Sequence, residues 1–212
     1  MAGLDLPTLI ARAIVLLIAF TVHELAHAVT ADRLGDPTPR RMGRITLNPL
    51  AHLDPIGTIM LLLVGFGWAK PVMVNPMNMR GNPRTSMAIV AIAGPISNLV
   101  MALAGALVFR LGLVDFTFNS TLEFLPSPAF LLSEFVWINL ILAFFNLIPI
   151  PPLDGSKILY AFLPSEWVYR IQPLERFGFL ILFGLVYLVP TFINTLVVAP
   201  SLAILQFLIG VG

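Results

Sequence analysis

Apolar runs organise this chain. Residues 7–32, 86–111 and 129–148 are each long enough for a helix across a bilayer, which needs roughly 20 mostly apolar residues. A further block starts at residue 177 and continues to Gly212, with Pro190 and Pro200 inside it. That block has the length for two passes, or for one broken span and an interfacial tail. The stretch DPIGTIMLLLVGF, at 54–66, falls short of a span and is expected to be re-entrant or to lie on the membrane surface. RRMGRITLNP (40–49) and KPVMVNP (70–76) differ in kind. Their β-branched residues alternate loosely between Pro and Gly, which predicts short strands, paired as a hairpin and shielded from lipid. The expected fold is therefore all-α: a polytopic helical bundle of about five to six membrane segments with short membrane-associated strands or a re-entrant loop. A single domain is expected over 1–212, with its core at roughly 7–163 and further membrane segments at 174–212.

Composition supports a membrane setting. The chain is 58% hydrophobic and 11% charged, where a soluble domain carries about 25% charged residues, so it lacks the polar surface that water would require. A net charge of +1 gives no reason to expect a nucleic-acid partner. Cysteine is absent, which excludes disulfides and thiolate metal sites. The first apolar run is too long for a signal-peptide core and lacks a charged leader and a clear cleavage site, so it is expected to be a retained membrane helix.

Charge also sets an expected orientation. Arg33, Arg40, Arg41, Arg44, Lys70, Arg80 and Arg84 lie between the first two spans. Lys157, Arg170 and Arg176 follow the third, whereas the loop between the second and third has Arg110 at its edge, then Asp115 and Glu123. The positive-inside rule makes the first and third connections cytoplasmic and puts the N-terminus outside. The C-terminal ends of the first and third spans then share the cytoplasmic half of the membrane. The arginines from Arg40 to Arg44 read as topology signals at the lipid surface.

Against this background FTVHELAHAVT, residues 20–30, is costly: it places two histidines and a glutamate in an apolar span. HELAH is H-E-x-x-H. On a helix, positions i and i+4 share a face, so His23 and His27 can bind one metal ion together. Glu24, rotated around the helix, is in the general-base position, able to reach a metal-bound water without ligating the metal. Zinc suits imidazole, and a catalytic zinc takes three protein ligands and keeps a position for water. Asp154, in NLIPIPPLDGSKIL, is the leading third ligand because its breaker-rich setting suits a polar group held at the membrane, and the orientation argument independently puts it at the depth of the histidines. His52 and Asp54, in NPLAHLDP, are its rivals. Asp154 could also cap the following helix.

HELAH in a membrane helix, with N-x-x-P-x-x-x-x-D-G running from Asn146 through Pro149 to Asp154 and Gly155, resembles the site-2 protease family of intramembrane zinc metalloproteases. GPISN, residues 94–98, is similar to the family's G-P-x-x-N helix motif, and the three motifs fall in the family's order across roughly residues 8–163. The resemblance implies one zinc ion held by His23, His27 and Asp154, with Glu24 as catalytic base and acid. It implies a role for Asn146 in holding the substrate carbonyl or its oxyanion, and makes Asn98 a candidate to support the site. The substrates it implies are membrane proteins with a transmembrane segment, cut in regulated intramembrane proteolysis. The location it implies is a bacterial or archaeal cell membrane, with the active site toward the cytoplasm. Neither a PDZ insertion nor a CBS pair is recognisable, so the likeness is to a compact form. The alternative is a membrane zinc-binding or zinc-transport protein, which would be expected to carry inverted repeats or a path of intramembrane acids. The sequence shows neither.

Overall fold

The computed structural model describes residues 5–57 and 68–210, and its architecture is helical. Six helices carry the argument: α1 (Leu6–Leu34), α2 (Pro83–Arg110), α3 (Pro128–Asn146), α4 (Asp154–Phe162), α5 (Ser165–Leu188) and α6 (Pro190–Ile209). All but α4 are long and apolar enough to cross a membrane. The terminal block thus supplies two candidate spans rather than one span and a tail. α5 contains a 3-10 stretch at Gln172–Phe177, and α6 a π-helical stretch at Asn194–Val198.

The helices begin where the sequence offers caps. Asp5 accepts from the Thr8 N–H at 2.9 Å, Asn82 from Arg84 and Thr85, and Ser127 from Phe130, each just before a proline in the first turn. α1 ends at Gly35, whose φ of 114° suits glycine alone and turns the chain back beneath the helix.

A spacing of four residues decides how α1 and α2 pack. Pro7, Ala11, Val15, Ala19, His23, His27 and Ala31 form one buried stripe on α1. Ser86, Val90, Gly94, Asn98, Ala102 and Ala106 form another on α2. Most of these are small. Between helices in lipid there is no hydrophobic drive to associate, so close backbone approach and interhelical hydrogen bonds hold the pair together. The outward face of α2 is apolar instead, with Ile89, Ile92, Ile96, Val100, Leu103 and Leu107 exposed, as suits a helix facing lipid. α3 completes the layer. Its Val136 and Leu140 pack with Ala102, Ala106 and Phe109 of α2 and with Leu205 of α6. Near the start of both helices, Arg12 of α1 donates to the buried Glu134 of α3 at 3.0 Å, a charged clamp in place of an unpaired intramembrane acid.

The expected strand pair is corrected. Residues Thr38–Arg41 form one helical turn, and among the described residues there is no sheet, only an isolated antiparallel bridge between Leu53 and Ala69. The extended segment after Ala69 spends N–H groups on carboxylates instead: Val72 on Glu24 at 2.9 Å and Asn75 on Asp36 at 2.7 Å. Two acids placed by α1 and the turn after it therefore take the donors that a ladder would need. The apolar stretch expected to be re-entrant reaches into 58–67, which lie outside the described residues.

Asp36 is the fixed point of this edge. It is fully buried and accepts from the Thr38 N–H and hydroxyl at 3.1 and 2.6 Å, from the Asn75 N–H, and from the Asn78 amide at 3.0 Å. Burial alone would raise its carboxyl pKa, but these hydrogen bonds outweigh it and hold the group below the ordinary carboxylate value. A depressed folded pKa gives stability that is present above the unfolded pKa and lost as pH falls through the folded one. Asp36→Ala is expected to lower stability by about 1–3 kcal/mol at neutral pH, because it strands buried donors. Thermal unfolding in detergent checks this, and the gap between variant and wild type should narrow as the medium is acidified below the ordinary carboxylate range.

Candidate metal centre

The four-residue stripe of α1 carries His23 and His27 into the bundle, where both are buried against α2. Asp154 arrives from a different part of the chain. The turn before it, 147–153, is seated by Ile148 and Leu153 on Leu182 of α5 and Val197 of α6. Gly155 lets the start of α4 press against that turn: a Cβ there would overlap the Leu147 carbonyl oxygen and lie 2.5 Å from that of Ile148. Asp154 is the first residue of α4 but does not cap it, because its carboxylate is turned to the histidines.

Three atoms converge. Nε2 of His23 and Nε2 of His27 are 3.0 Å apart, and each is 3.1 Å from Oδ2 of Asp154. His27 Nδ1 lies 2.7 Å from the Val90 carbonyl oxygen, which can only accept, so Nδ1 carries a proton and the neutral ring presents its lone pair at Nε2. His23 Nδ1 lies 2.6 Å from the amide oxygen of Asn98 and is oriented in the same way. Two lone pairs and a carboxylate oxygen facing one another in a buried site repel unless a cation joins them. Three donors about 2.0–2.1 Å from one tetrahedral ion stand about 3.3 Å apart, close to the spacing found here. The donor set, two imidazoles and a carboxylate, is one that zinc takes in catalytic sites. Among the described residues this is the one such group of His, Asp and Glu side chains. Lys157 stands 3.4 Å from the other carboxylate oxygen, Oδ1, and balances its charge.

Glu24 is buried beside this group and faces a second one. Its Oε2 accepts from the Val72 N–H and is 3.8 Å from the Arg44 guanidinium. Arg44 is not the lipid-surface charge expected from its place in a basic run. It is 4% exposed and donates to the carbonyls of Ala51, at 2.8 Å, and Lys70, tying together the two segments that flank the site.

The rival ligands stand apart. His52 is buried with Nε2 on the Thr46 carbonyl, and Asp54 accepts from the Gly57 N–H, so neither joins the metal-ligating group. Asn146 ends α3, and its amide nitrogen donates to the Leu142 carbonyl of the same helix at 2.9 Å, so no bond brings it to the three donors. Two residues that support the site were missed from the sequence. Arg44 gave no signal beyond its charge. Asn139, buried in α3 and bonded to Asn98, did give one: an amide in the middle of WINLIL is expensive in a span.

Comparison with known proteins fits this geometry. The sequence matches the peptidase family M50 over residues 11–129 and 119–190. The chain belongs to that family. It is 42% identical over 172 residues to YwhC of Bacillus subtilis, covering 79% of this chain and 76% of the relative. It is 34% identical over 174 residues to Rip2 of Mycolicibacterium smegmatis, covering 78% of this chain and 62% of the relative. It is 30% identical over 162 residues to MJ0611 of Methanocaldococcus jannaschii, covering 76% and 74%. All three are named as candidate zinc metalloproteases. No solved structure matches the chain. As an M50 peptidase with five candidate membrane spans, the chain is a membrane metallopeptidase, and zinc is the metal that its donor set fits.

Gly94, in the GPISN motif, has a specific part in that fit. A Cβ at this position would lie 2.5 Å from Cε1 and Nε2 of His23 and from Nε2 of His27. The bare α-carbon of α2 is what leaves room for the two rings to face inward. Gly94→Ala is expected to weaken zinc binding by about tenfold or more, the range seen when the support of a metal site is disturbed. Competition against a chelator checks this. Gly184→Ala, where an added Cβ meets nothing within 4 Å, is the control and should leave zinc binding unchanged.

Proposed function

We propose that this chain is an intramembrane zinc endopeptidase that hydrolyses peptide bonds in or near the transmembrane segments of membrane-protein substrates. The observation that carries the reading is the convergence of His23 Nε2, His27 Nε2 and Asp154 Oδ2 beside the carboxylate of Glu24. His23, His27 and Asp154 hold one zinc ion. Bound there, zinc supplies an acidified water near neutral pH and polarisation of the peptide carbonyl. Glu24 accepts the proton of the attacking water at its carboxylate and later passes it to the leaving amine. Asn146 is assigned to the substrate carbonyl, which requires its amide to release the Leu142 carbonyl. The active domain spans 1–212, with its catalytic core at roughly 7–163.

The positive-inside rule supports a site opening to the cytoplasm, the side from which water reaches the donors. The substrates that suit it are single-span proteins held in a cell membrane, and their cutting is a step in regulated proteolysis. A substrate helix hides its carbonyls and must be extended before attack. The extended segment at 72–75 lies against Glu24 through Val72 and offers backbone to pair with an unwound substrate.

Two measurements test this. Glu24→Gln is expected to keep its zinc and to lose cleavage of single-span reporter proteins by about 10²–10⁴-fold, the size of a lost general base. Equal zinc with equal cleavage in both proteins would remove Glu24 from the chemistry, and zinc flux through the wild type would favour transport. Met73→Pro, at an exposed position of the extended segment, is expected to slow reporter cleavage about tenfold, the worth of one backbone hydrogen bond, without changing bound zinc. Unchanged cleavage would rule out pairing at that edge.

A further inference from the structure

For His23 and His27 to offer Nε2, each ring must keep its proton on Nδ1. For His27 what holds it there is local, because a peptide carbonyl receives Nδ1. For His23 it is not. Its Nδ1 faces the side chain of Asn98, and an amide can present either oxygen or NH2. If Asn98 turned over, its NH2 would face Nδ1, favour the lone pair there, and put the ring proton on Nε2, where the metal should bind.

A second amide decides the matter. Asn139 of α3 and Asn98 of α2 are both fully buried. Asn139 Nδ2 lies 2.8 Å from the Phe135 carbonyl oxygen, one turn earlier on its own helix. A carbonyl cannot donate, so Asn139 must point its NH2 there and its oxygen toward Asn98. That oxygen, 2.8 Å from Asn98 Nδ2, can in turn be met only by a donor. Asn98 is left with its oxygen toward His23, 2.6 Å away, and Nδ1 must carry the proton. One backbone carbonyl thus fixes two amides and a ring. Turning either amide over would set oxygen against oxygen in a dry interior, where an unmade bond costs about 1–3 kcal/mol.

We propose that Asn139 is a positioning residue of the metal centre: through Asn98 it holds His23 in the Nδ1–H tautomer, with Nε2 bare. The metal consequence rests on the reading of His23 as a zinc ligand, whereas the tautomer itself does not. Asn139 touches neither metal nor substrate. Its effect passes through one amide and one ring, across three helices.

The chain has three histidines, so ¹⁵N-histidine labelling gives a simple spectrum in which the tautomer of each ring is read directly from metal-free protein in detergent. His23 of the wild type should be the Nδ1–H tautomer. In Asn139→Leu, which keeps the volume and removes the oxygen, His23 should populate both tautomers and zinc affinity should fall about 10–100-fold, the usual cost of losing an outer partner of a metal ligand. Asn139→Asp, entering as the neutral acid with its O–H on the Phe135 carbonyl, keeps an acceptor facing Asn98, so it should keep the tautomer. Adding Asn98→Asp to Asn139→Leu should restore tautomer and affinity together, because a carboxylate beside Nδ1 can only accept. An unchanged His23 tautomer in Asn139→Leu would overturn the proposal, as would equal loss of zinc in Asn139→Leu and Asn139→Asp. Should Asn139→Leu fail to fold, Asn139→Ala is read in the same way. Failure of the wild type to bind zinc would sink the metal-site reading alone, and the tautomer measurement would still decide this one.

Discussion

Three acceptor atoms meeting at 3.0–3.1 Å inside a helical bundle is an arrangement that the rest of the structure must hold in place. Each has been taken out of water, and each repels the other two. A buried polar group without a partner costs free energy, and three that converge cost more, unless a cation turns repulsion into coordination. Three bare acceptors at this spacing favour a bound cation, and the packing around them must resist their tendency to turn away. The resistance comes from the far side of each ring. Val90 and Asn98, about two turns apart on the same stripe of α2, hold the two Nδ1 atoms, so neither imidazole can rotate without losing a buried hydrogen bond.

Small residues do the rest. Ala19 and Ala31 on α1 and Gly94 and Ala102 on α2 let the two backbones approach, and the rings occupy the space that this leaves. The same stripe that makes a helix pair cohere in lipid also brings the candidate metal ligands within reach of their supports. Packing and chemistry here follow one periodicity, and a larger side chain at Gly94 would disturb both. Asp154 is held by different means: a turn wedged by Gly155 and seated on the two C-terminal spans. Those spans bear on the site through that turn, which gives helices remote in sequence a part in its geometry.

How much could be read from the sequence follows from this division. His23, Glu24 and His27 were legible because their relation is local: five consecutive residues on a helix have one geometry. Spans were legible from apolar run length, and the observed α1, α2 and α3 begin and end within a few residues of expectation. Asp154 was legible as a polar group in a breaker-rich turn, though its meeting with the histidines is tertiary. Arg44 was not, because a buried arginine and a topology arginine look alike until the loops that it bridges are placed. The strands were misread for a related reason. Loose alternation at 70–76 does mark extended backbone, but whether such backbone joins a ladder depends on its neighbours. Here Glu24 and Asp36 take two of its N–H groups.

That last exchange bears on how the site meets a substrate. The carboxylate set beside the metal group also anchors the nearest extended segment, by a single bond from Val72. In the proposed role of general base Glu24 gives an oxygen to a water, so it cannot serve the segment and the chemistry with the same atom at the same time. Either its other oxygen takes the proton, with the segment left in place as a wall of the site, or the segment yields Val72 when a substrate strand arrives. In both cases the position of residues 70–75 and the availability of the base are linked through one hydrogen bond. Arg44 strengthens the link, because it bonds the Lys70 carbonyl and stands 3.8 Å from the same Glu24 oxygen. On the proposed mechanism, a peptide bond paired along this edge would lie on backbone fastened to Glu24, and recognition of extended chain would be coupled to hydrolysis.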